Sequence, residues 1–301
     1  MRHLTPLGYI DAIARAGSIR KAAEQLSITS TALNRRVLAL EEELGAPVFE
    51  RLPRGVRLST AGELLIQHIR TQVSDVEKLK SQIADLAGER RGHVSVACSQ
   101  ALLPYVLPEQ IARYRASHPA VTFGVHLRDR AAAEQALVDH SADIAVVFEP
   151  VRLSEVQVLA SVPQTVCAVL PADHPLAARD TLRLRDLAGV PIGLPTTPYG
   201  VRHLIDLALQ RSTVELSVVV QSDSFEFLRN YPAREALVTF QIPSGLPSGD
   251  RDTTADGIVS RPLDPRDVPA GLLYLCQLRG RTLPVAAAKF AAQLERSLLE
   301  D

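Results

Sequence analysis

Between Thr60 and Gly88 the chain repeats one position in steps of four and three: Leu65, Ile69, Gln72, Val76, Leu79, Ile83 and Leu86. That period marks one face of an α-helix, and the stretch would run about 44 Å at 1.5 Å per residue. Thr60 and Glu63 stand at capping-box spacing where it begins. The seam is narrower than the face a helix usually buries on its own domain, which is the alternative reading, so it calls for a second helix. β-branched residues at 69, 76 and 83 with Leu at 65, 79 and 86 favour two-stranded association, and Gln72 can fix the register. The long helix therefore predicts a homo-oligomer, and it separates two parts of the chain that read differently.

Before it the pattern is helical and short. A first helix reads from Leu4 to Ala16 with Leu7, Ile10, Ile13 and Ala14 on one side. Gly17 ends it, and Ser18 can cap a second helix whose stripe is Ile19, Ala22, Ala23 and Leu26, small enough for another helix to approach closely. After the turn "SITS", Thr29 or Ser30 caps a third helix with Leu33, Val37, Leu40 and Leu44 inward and Gly45 as the stop.

An inward stripe at those positions turns Ser30, Thr31, Asn34 and Arg35 outward near the helix N-terminus. Such a face suits a DNA major groove: free N–H groups meet phosphate, Arg can pair guanine and Asn adenine, and short hydroxyl side chains allow a deep approach. A solvated helix face is the competing reading. "VFERLPRGVRLST" weakens it, because Val48 to Arg51 and Val56 to Leu58 read as a hairpin joined at "LPRG" with Arg51, Arg54 and Arg57 on or beside it. A basic hairpin after a helix-turn-helix is a winged helix, its arginines suited to phosphates or a minor groove. Charge agrees: residues 1–58 carry nine Lys/Arg against six Asp/Glu, a net +3, whereas the remainder is −4.

Past "GERRGH" strands and helices alternate. Strands read at 93–98, 121–127, 143–148, 165–170, 214–220, 236–241 and 272–278, and helices at 102–117, 131–140, 201–210, 224–231 and 284–300. That alternation predicts an α/β domain with mostly parallel sheets and ligand sites at the carboxyl ends of strands. Residues 244–257 are polar and turn-rich, a surface loop. No run of 18 apolar residues and no leader-like start appear, so neither a membrane span nor a signal peptide is expected. Cys98, Cys167 and Cys276 are odd in number and set in apolar runs, as buried thiols in a reducing cytoplasm would be.

The segment "AAEQLSITSTALNRRVLALEEELGAPVFERLPRGVRLSTAGE" resembles the N-terminal pattern of LysR-type transcriptional regulators: an AA-x-x-L helix, an S/T-rich turn, an LE-x-x-LG helix end, an LFER-like strand and an R-L-T-x-A-G entry to a long helix. "LPYVLPEQIARYRASHPAV", "ADIAVVF" and "DHPLA" stand at family-like positions, so the resemblance covers essentially the full length. It implies an N-terminal all-α winged helix-turn-helix with a long linker helix, and a C-terminal α/β two-lobed effector domain like the type 2 periplasmic binding proteins. The boundaries it suggests are 1–59, 60–88 and 92–301, with lobe I at about 92–161 and 267–301 and lobe II at about 162–266. It also implies a cytoplasmic homodimer or homotetramer on promoter DNA, autoregulation, a small-molecule effector in place of any cofactor or metal, and RNA polymerase as a candidate further partner. Family linker helices pair antiparallel, so the seam supports pairing and leaves direction to the family.

Carried over by position, Ser30, Thr31, Asn34 and Arg35 would read bases, Arg51, Arg54 and Arg57 would serve the wing, and Thr60 would lie near the DNA backbone. The family commonly has Pro where Thr31 stands and Ser where Asn34 stands, which implies a different base preference. Effector candidates are Ser99, Gln100, Arg128 and Phe148 from the first lobe, and Thr196, Thr197, Tyr199, Arg202, Ser224, Phe240 and Gln241 from the second. Ser and Thr there are either helix caps or donors to an acidic or carbonyl ligand. Arg128 stands where the family usually has a small residue, and either pairs a ligand carboxylate or bridges to Asp129 or Glu134. Phe148 and Phe240 imply that part of the ligand is apolar. The competing readings are an effector-independent DNA-binding protein and, for the second half, a solute-binding or enzymatic domain. The sequence holds no G-x-S-x-G, G-x-G-x-x-G, P-loop, C-x-x-C or H-E-x-x-H, and its eight His are scattered.

Overall fold

The second and third helices begin where a hydroxyl takes up an N–H group that a first turn leaves unsatisfied. In the computed structural model, which describes residues 5–86, 91–151, 154–247 and 257–300, α1 (Thr5–Ala16) gives way to α2 (Ile19–Gln25) through Gly17. Ser18 accepts from the Lys21 N–H, and Thr29, not Ser30, caps α3 (Ser30–Leu44) through the Ala32 N–H at 3.2 Å. The chain forms two units, residues 1–80 and 81–301. Ile10, Ile13, Ala22, Ala23, Leu33 and Val37 make the core of the first. Leu44 is 47% exposed, contrary to expectation, because Glu41 holds the inward position at that end of α3. Its carboxylate accepts the N–H groups of Val48 and Phe49 at 2.8 and 3.0 Å, anchoring the wing.

The wing is β1 (Phe49–Leu52) paired antiparallel with β2 (Gly55–Leu58), one residue further along than the sequence suggested at the first strand, with Arg54 in the two-residue tip. Gly55 has φ +132° and its α-carbon lies so close to the Gly17 carbonyl that a β-carbon would fall 2.3 Å from that oxygen. Ser59, rather than Thr60, caps α4 (Thr60–Leu86): its hydroxyl accepts from the Gly62 N–H at 3.0 Å. The seam of α4 divides along its length. Leu65 and Ile69, joined by Ile66, pack into the first unit's core, whereas Gln72 is exposed and Leu79 and Ile83 are 46% and 57% exposed. Leu4, Gly88 and the Leu86 side chain lie outside the described residues, as do 248–256 of the polar loop.

The second unit opens with β3 (Gly92–Cys98), α5 (Val106–Ser117), β4 (Val121–Leu127), α6 (Arg130–Val138), β5 (Ile144–Phe148) and β6 (Val156–Gln164). It continues through β7 (Cys167–Pro171), β8 (Pro191–Pro195), α7 (Gly200–Gln210), β9 (Ser217–Ser222), α8 (Phe225–Asn230), β10 (Thr239–Gln241) and β11 (Ile258–Pro262), and closes with β12 (Gly271–Leu278) and α9 (Val285–Glu300). Helix α5 starts four residues later than expected, because Pro108, which lacks an N–H, is tolerated in a first turn but would fall in the interior of a helix begun at residue 102; a single 3₁₀ turn, Gln100–Leu102, precedes it. One sheet runs β4-β3-β5-β12-β6, a second β10-β7-β11, and β8 pairs with β9.

The sheets are mixed, not mostly parallel. Strand β3 is parallel to β4 and β5, but β12 runs against both β5 and β6, and β7 against both its neighbours. The chain leaves the five-stranded sheet on β6 and returns to it on β12, and an outgoing and a returning strand laid side by side must oppose each other. Every residue of β5 is buried: Ile144, Val146 and Phe148 face the main core, while Ala145 and Val147 face Ala133, Ala136 and Leu137 of α6. The return crossover is braced by Arg183, which donates to both Asp267 oxygens at 2.7 and 2.6 Å. Beside it, hydrogen bonds from Arg266 hold the Asp264 carboxyl well below the usual range.

Candidate functional site

On the first unit, Ser30, Thr31 and Arg35 are exposed at the start of α3 and Asn34 is half-buried beside them. Arg36, next in line, is drawn back over the Tyr9 ring at 4.5 Å. The three wing arginines have different surroundings. Arg51 donates to the Asn34 side-chain oxygen at 2.9 Å, Arg57 pairs with Glu50 at 2.7 Å, and Arg54 is exposed at the tip with no partner among the described residues. Thr60 is exposed in the first turn of α4. The role of Glu41 in fixing the wing was missed by sequence reading, where it stood as one of three consecutive acids.

On the second unit, a small cavity opens at the carboxyl ends of β3 and β5, against the first turn of α7. It is lined by Ser99, Ala101, Arg128, Asp129, Arg130, Phe148, Tyr199, Gly200, Val201, Phe225 and Ile242, and leaves about 20 Å³ to the centre of a water-sized sphere. That is room for one or two waters. The elements close tightly here: a β-carbon on Gly200 would fall 2.6 Å from the Phe148 carbonyl oxygen. Glu149, directly after β5, adopts φ +54° and exchanges hydrogen bonds with the Leu272 backbone through its own N–H at 3.0 Å and its carboxylate at 2.7 Å.

The Ser99 hydroxyl is buried with no hydrogen-bond partner among the described residues. A buried polar atom left so is costly unless something fills the need. The Arg128 guanidinium donates to the Leu127 carbonyl at 2.8 Å and has no other partner among the described residues; neither Asp129 nor Glu134 pairs with it, and Asp129 instead caps α6 through the Ala131 and Ala132 N–H groups. Arg130, which sequence reading did not single out, donates to the Glu149 carbonyl, and burial lowers its pKa against the opposing pull of Glu149 and Glu134. Its neighbour Asp129 reads as an ordinary cap, so nothing in the sequence marked it.

Of the expected effector residues, Ser99, Arg128, Phe148 and Tyr199 line this cavity together. The others do not. Gln100 spends its amide on the opposite side of the cleft, donating to the Tyr199 hydroxyl at 2.9 Å and to the Asp223 carbonyl, and accepting from the Phe225 N–H at 2.9 Å. Arg202 is held by Asp206 at 2.8 Å and by the Pro195 carbonyl, and Ser224 caps α8 through the Phe227 N–H. Thr196 and Thr197 sit in the turn before α7, half-buried and exposed. Phe240 and Gln241 are enclosed in β10, where the Gln241 oxygen accepts from the Ile242 N–H. Burial pushes the Cys98 and Cys276 thiols up to about 12, which suppresses their thiolate forms, and Cys167 is also buried. The described residues contain no cluster of His, Cys, Asp and Glu that could hold a metal, and no helix long and apolar enough to cross a membrane.

A basic winged helix-turn-helix on the same chain as an α/β unit with a cleft at its strand ends defines the class of ligand-responsive DNA-binding regulators. Residues 4–63 match the family model of the bacterial regulatory helix-turn-helix protein, lysR family, and residues 87–298 match that of the LysR substrate binding domain. The chain belongs to the LysR family of transcriptional regulators. The RuBisCO operon transcriptional regulator of Allochromatium vinosum is 26% identical, over 95% of this chain and 93% of its own length. Among solved structures, a cysteine-to-aspartate variant of full-length OxyR from Pseudomonas aeruginosa superposes with a TM-score of 0.70 at 20% identity, covering 98% of this chain and 94% of that one. Full-length CbnR complexed with its target DNA gives 0.55 at 19% identity, covering 98% and 99%.

Proposed function

We propose that this regulator reads promoter DNA with the exposed start of α3 and the tip of the wing, and senses a small carboxylate-bearing metabolite in the cleft lined by Ser99 and Arg128. The observation that carries the second half is the pairing of two unmet needs in one cavity: a guanidinium without a carboxylate and a buried hydroxyl without a partner, among the described residues. A carboxylate satisfies both, taking charge-assisted hydrogen bonds from Arg128 and one from Ser99. Phe148, Tyr199 and Phe225 suit an apolar body on the ligand. The protein works in the cytoplasm as a homodimer or homotetramer, with the exposed Leu79 and Ile83 of α4 in the helix pairing, and binds its effector without turning it over. RNA polymerase contact belongs to the same reading.

The DNA half is tested by titrating the full-length protein onto duplex from upstream of its own coding sequence across a range of salt. Arg54→Ala should weaken binding to all sequences alike and make the dependence of log K on log salt shallower by about one, the signature of one lost phosphate contact. Arg35→Ala should relax preference at one base pair, at a cost of about 1–3 kcal/mol. Two variants that bind like the wild type would remove both residues from the interface.

A further inference from the structure

We propose that Arg51 is a positioning residue for base recognition: it orients the Asn34 amide, so that sequence preference depends on the wing as well as on α3. The inference rests on the reading of α3 as the groove-entering helix.

The arrangement follows from two periodicities. Asn34 and Glu41 lie seven residues apart on α3, two turns, and therefore on one face. That face meets β1 at both ends of the strand, where Glu41 accepts from the Val48 and Phe49 N–H groups and Asn34 accepts from Arg51 at 2.9 Å. Along β1 side chains alternate, so Arg51 shares the side of buried Phe49 and faces α3, while Glu50 turns away and pairs with Arg57 across the hairpin. The contact between residues 34 and 51 is thus set by the docking of two elements, not by a stray surface side chain.

Its chemistry has a direction. Arginine carries only donors, so it can hold Asn34 only by the amide oxygen, which turns the amide nitrogen away from the wing. The bond is charge-assisted, and the oxygen keeps a second lone pair. An asparagine held this way presents one donor and one acceptor in fixed order, the arrangement that matches the N7 and N6 edge of adenine and mismatches guanine. Without Arg51 the amide can rotate by half a turn and exchange the two. Discrimination then falls even though no base contact of Arg51 itself is lost.

The test uses the full-length protein and a duplex selected from a random-sequence pool, with every base pair then substituted in turn and relative affinities measured for wild type, Asn34→Ala, Arg51→Ala and the double variant. The expected result is that Arg51→Ala flattens preference about tenfold at the same base pair as Asn34→Ala, and that the double variant is no flatter there than Asn34→Ala alone. Arg51→Ala lowering all affinities equally, with the salt slope shallower by about one, would make Arg51 a phosphate clamp and overturn the proposal. No change of preference at any position in Asn34→Ala would overturn it too, and would count against the α3 reading only if Arg35→Ala were equally silent. Because Arg51 is exposed, the thermal midpoints of all four proteins are expected to agree, which separates lost preference from lost folding.

Discussion

Gln100→Ala should bind the effector about ten- to a hundredfold more tightly than the wild type, while lowering the thermal midpoint of the unliganded protein by a few degrees. In the closed cleft Gln100 makes three hydrogen bonds across to Tyr199, Asp223 and Phe225, and the cavity behind it leaves about 20 Å³. A ligand with an apolar body beside its carboxylate does not fit that space, so its binding must draw on an opened form in which those bonds are broken. Each contributes about 0.5–1.5 kcal/mol net, and the apparent dissociation constant is the intrinsic one divided by the fraction of protein that is open. Removing the clasp raises that fraction and withdraws the same free energy from the resting state. Isothermal titration with a stabilising carboxylate, together with hydrogen exchange at the Phe225 amide, measures both effects. Weaker binding in Gln100→Ala, as Ser99→Ala should show, would mean instead that Gln100 touches the ligand.

Arg281→Ala should destabilise the second unit by about 3–5 kcal/mol, which for a domain of this size corresponds to a midpoint shift on the order of 10 °C. The guanidinium donates to Asp143 at 2.7 Å and to the Ala142 carbonyl at 2.8 Å, with the two side chains only 8% and 11% exposed. Asp143 also accepts from the Ser95 N–H, so this pair ties the start of β5 to β3 and to the segment after β12. Truncating the arginine strands a buried carboxylate. Truncating both should cost less than Arg281→Ala alone, because the penalty lies in the orphaned charge rather than in the lost attraction. Thermal or urea unfolding of the two variants decides it; equal losses would show that Asp143 finds solvent when its partner is gone.

The winged helix was nearly complete in the sequence because each of its parts is local. Caps at Ser18 and Thr29, stops at Gly17 and Gly45 and the inward stripe of α3 all act within one or two turns. Leu44 and Thr60 misled for the opposite reason: whether a helix end is covered depends on Glu41 and Ser59 reaching groups outside the helix. In the α/β unit, β6, β8 and β11 were not anticipated. Pro163 interrupts the alternation of β6, β8 is "PIGLP", with prolines at both ends and glycine at its centre, and β11 begins just beyond a turn-rich loop. Those strands exist because β7, β9 and β12 lie beside them, which no local pattern records. The same limit applied to the cleft. Ser99, Arg128, Phe148 and Tyr199 could be found as strand-end and helix-start residues, but whether Gln100 was already engaged depended on partners 99, 123 and 125 residues away; the Arg202–Asp206 pair, four residues apart on α7, is local and was legible. Arg130 left no signal, since its value comes from burial beside Glu149.

The most direct test of the cleft as a carboxylate sensor is the thermal midpoint of the full-length protein against aromatic and aliphatic carboxylates, each paired with its amide. A ligand that binds only the folded state at a hundred times its dissociation constant adds about 2.7 kcal/mol, several degrees here. The account predicts that at least one carboxylate raises the midpoint, that its amide does not, and that Arg128→Ala abolishes the shift. An amide that stabilises as well as its acid, or an undiminished shift in Arg128→Ala, would contradict it.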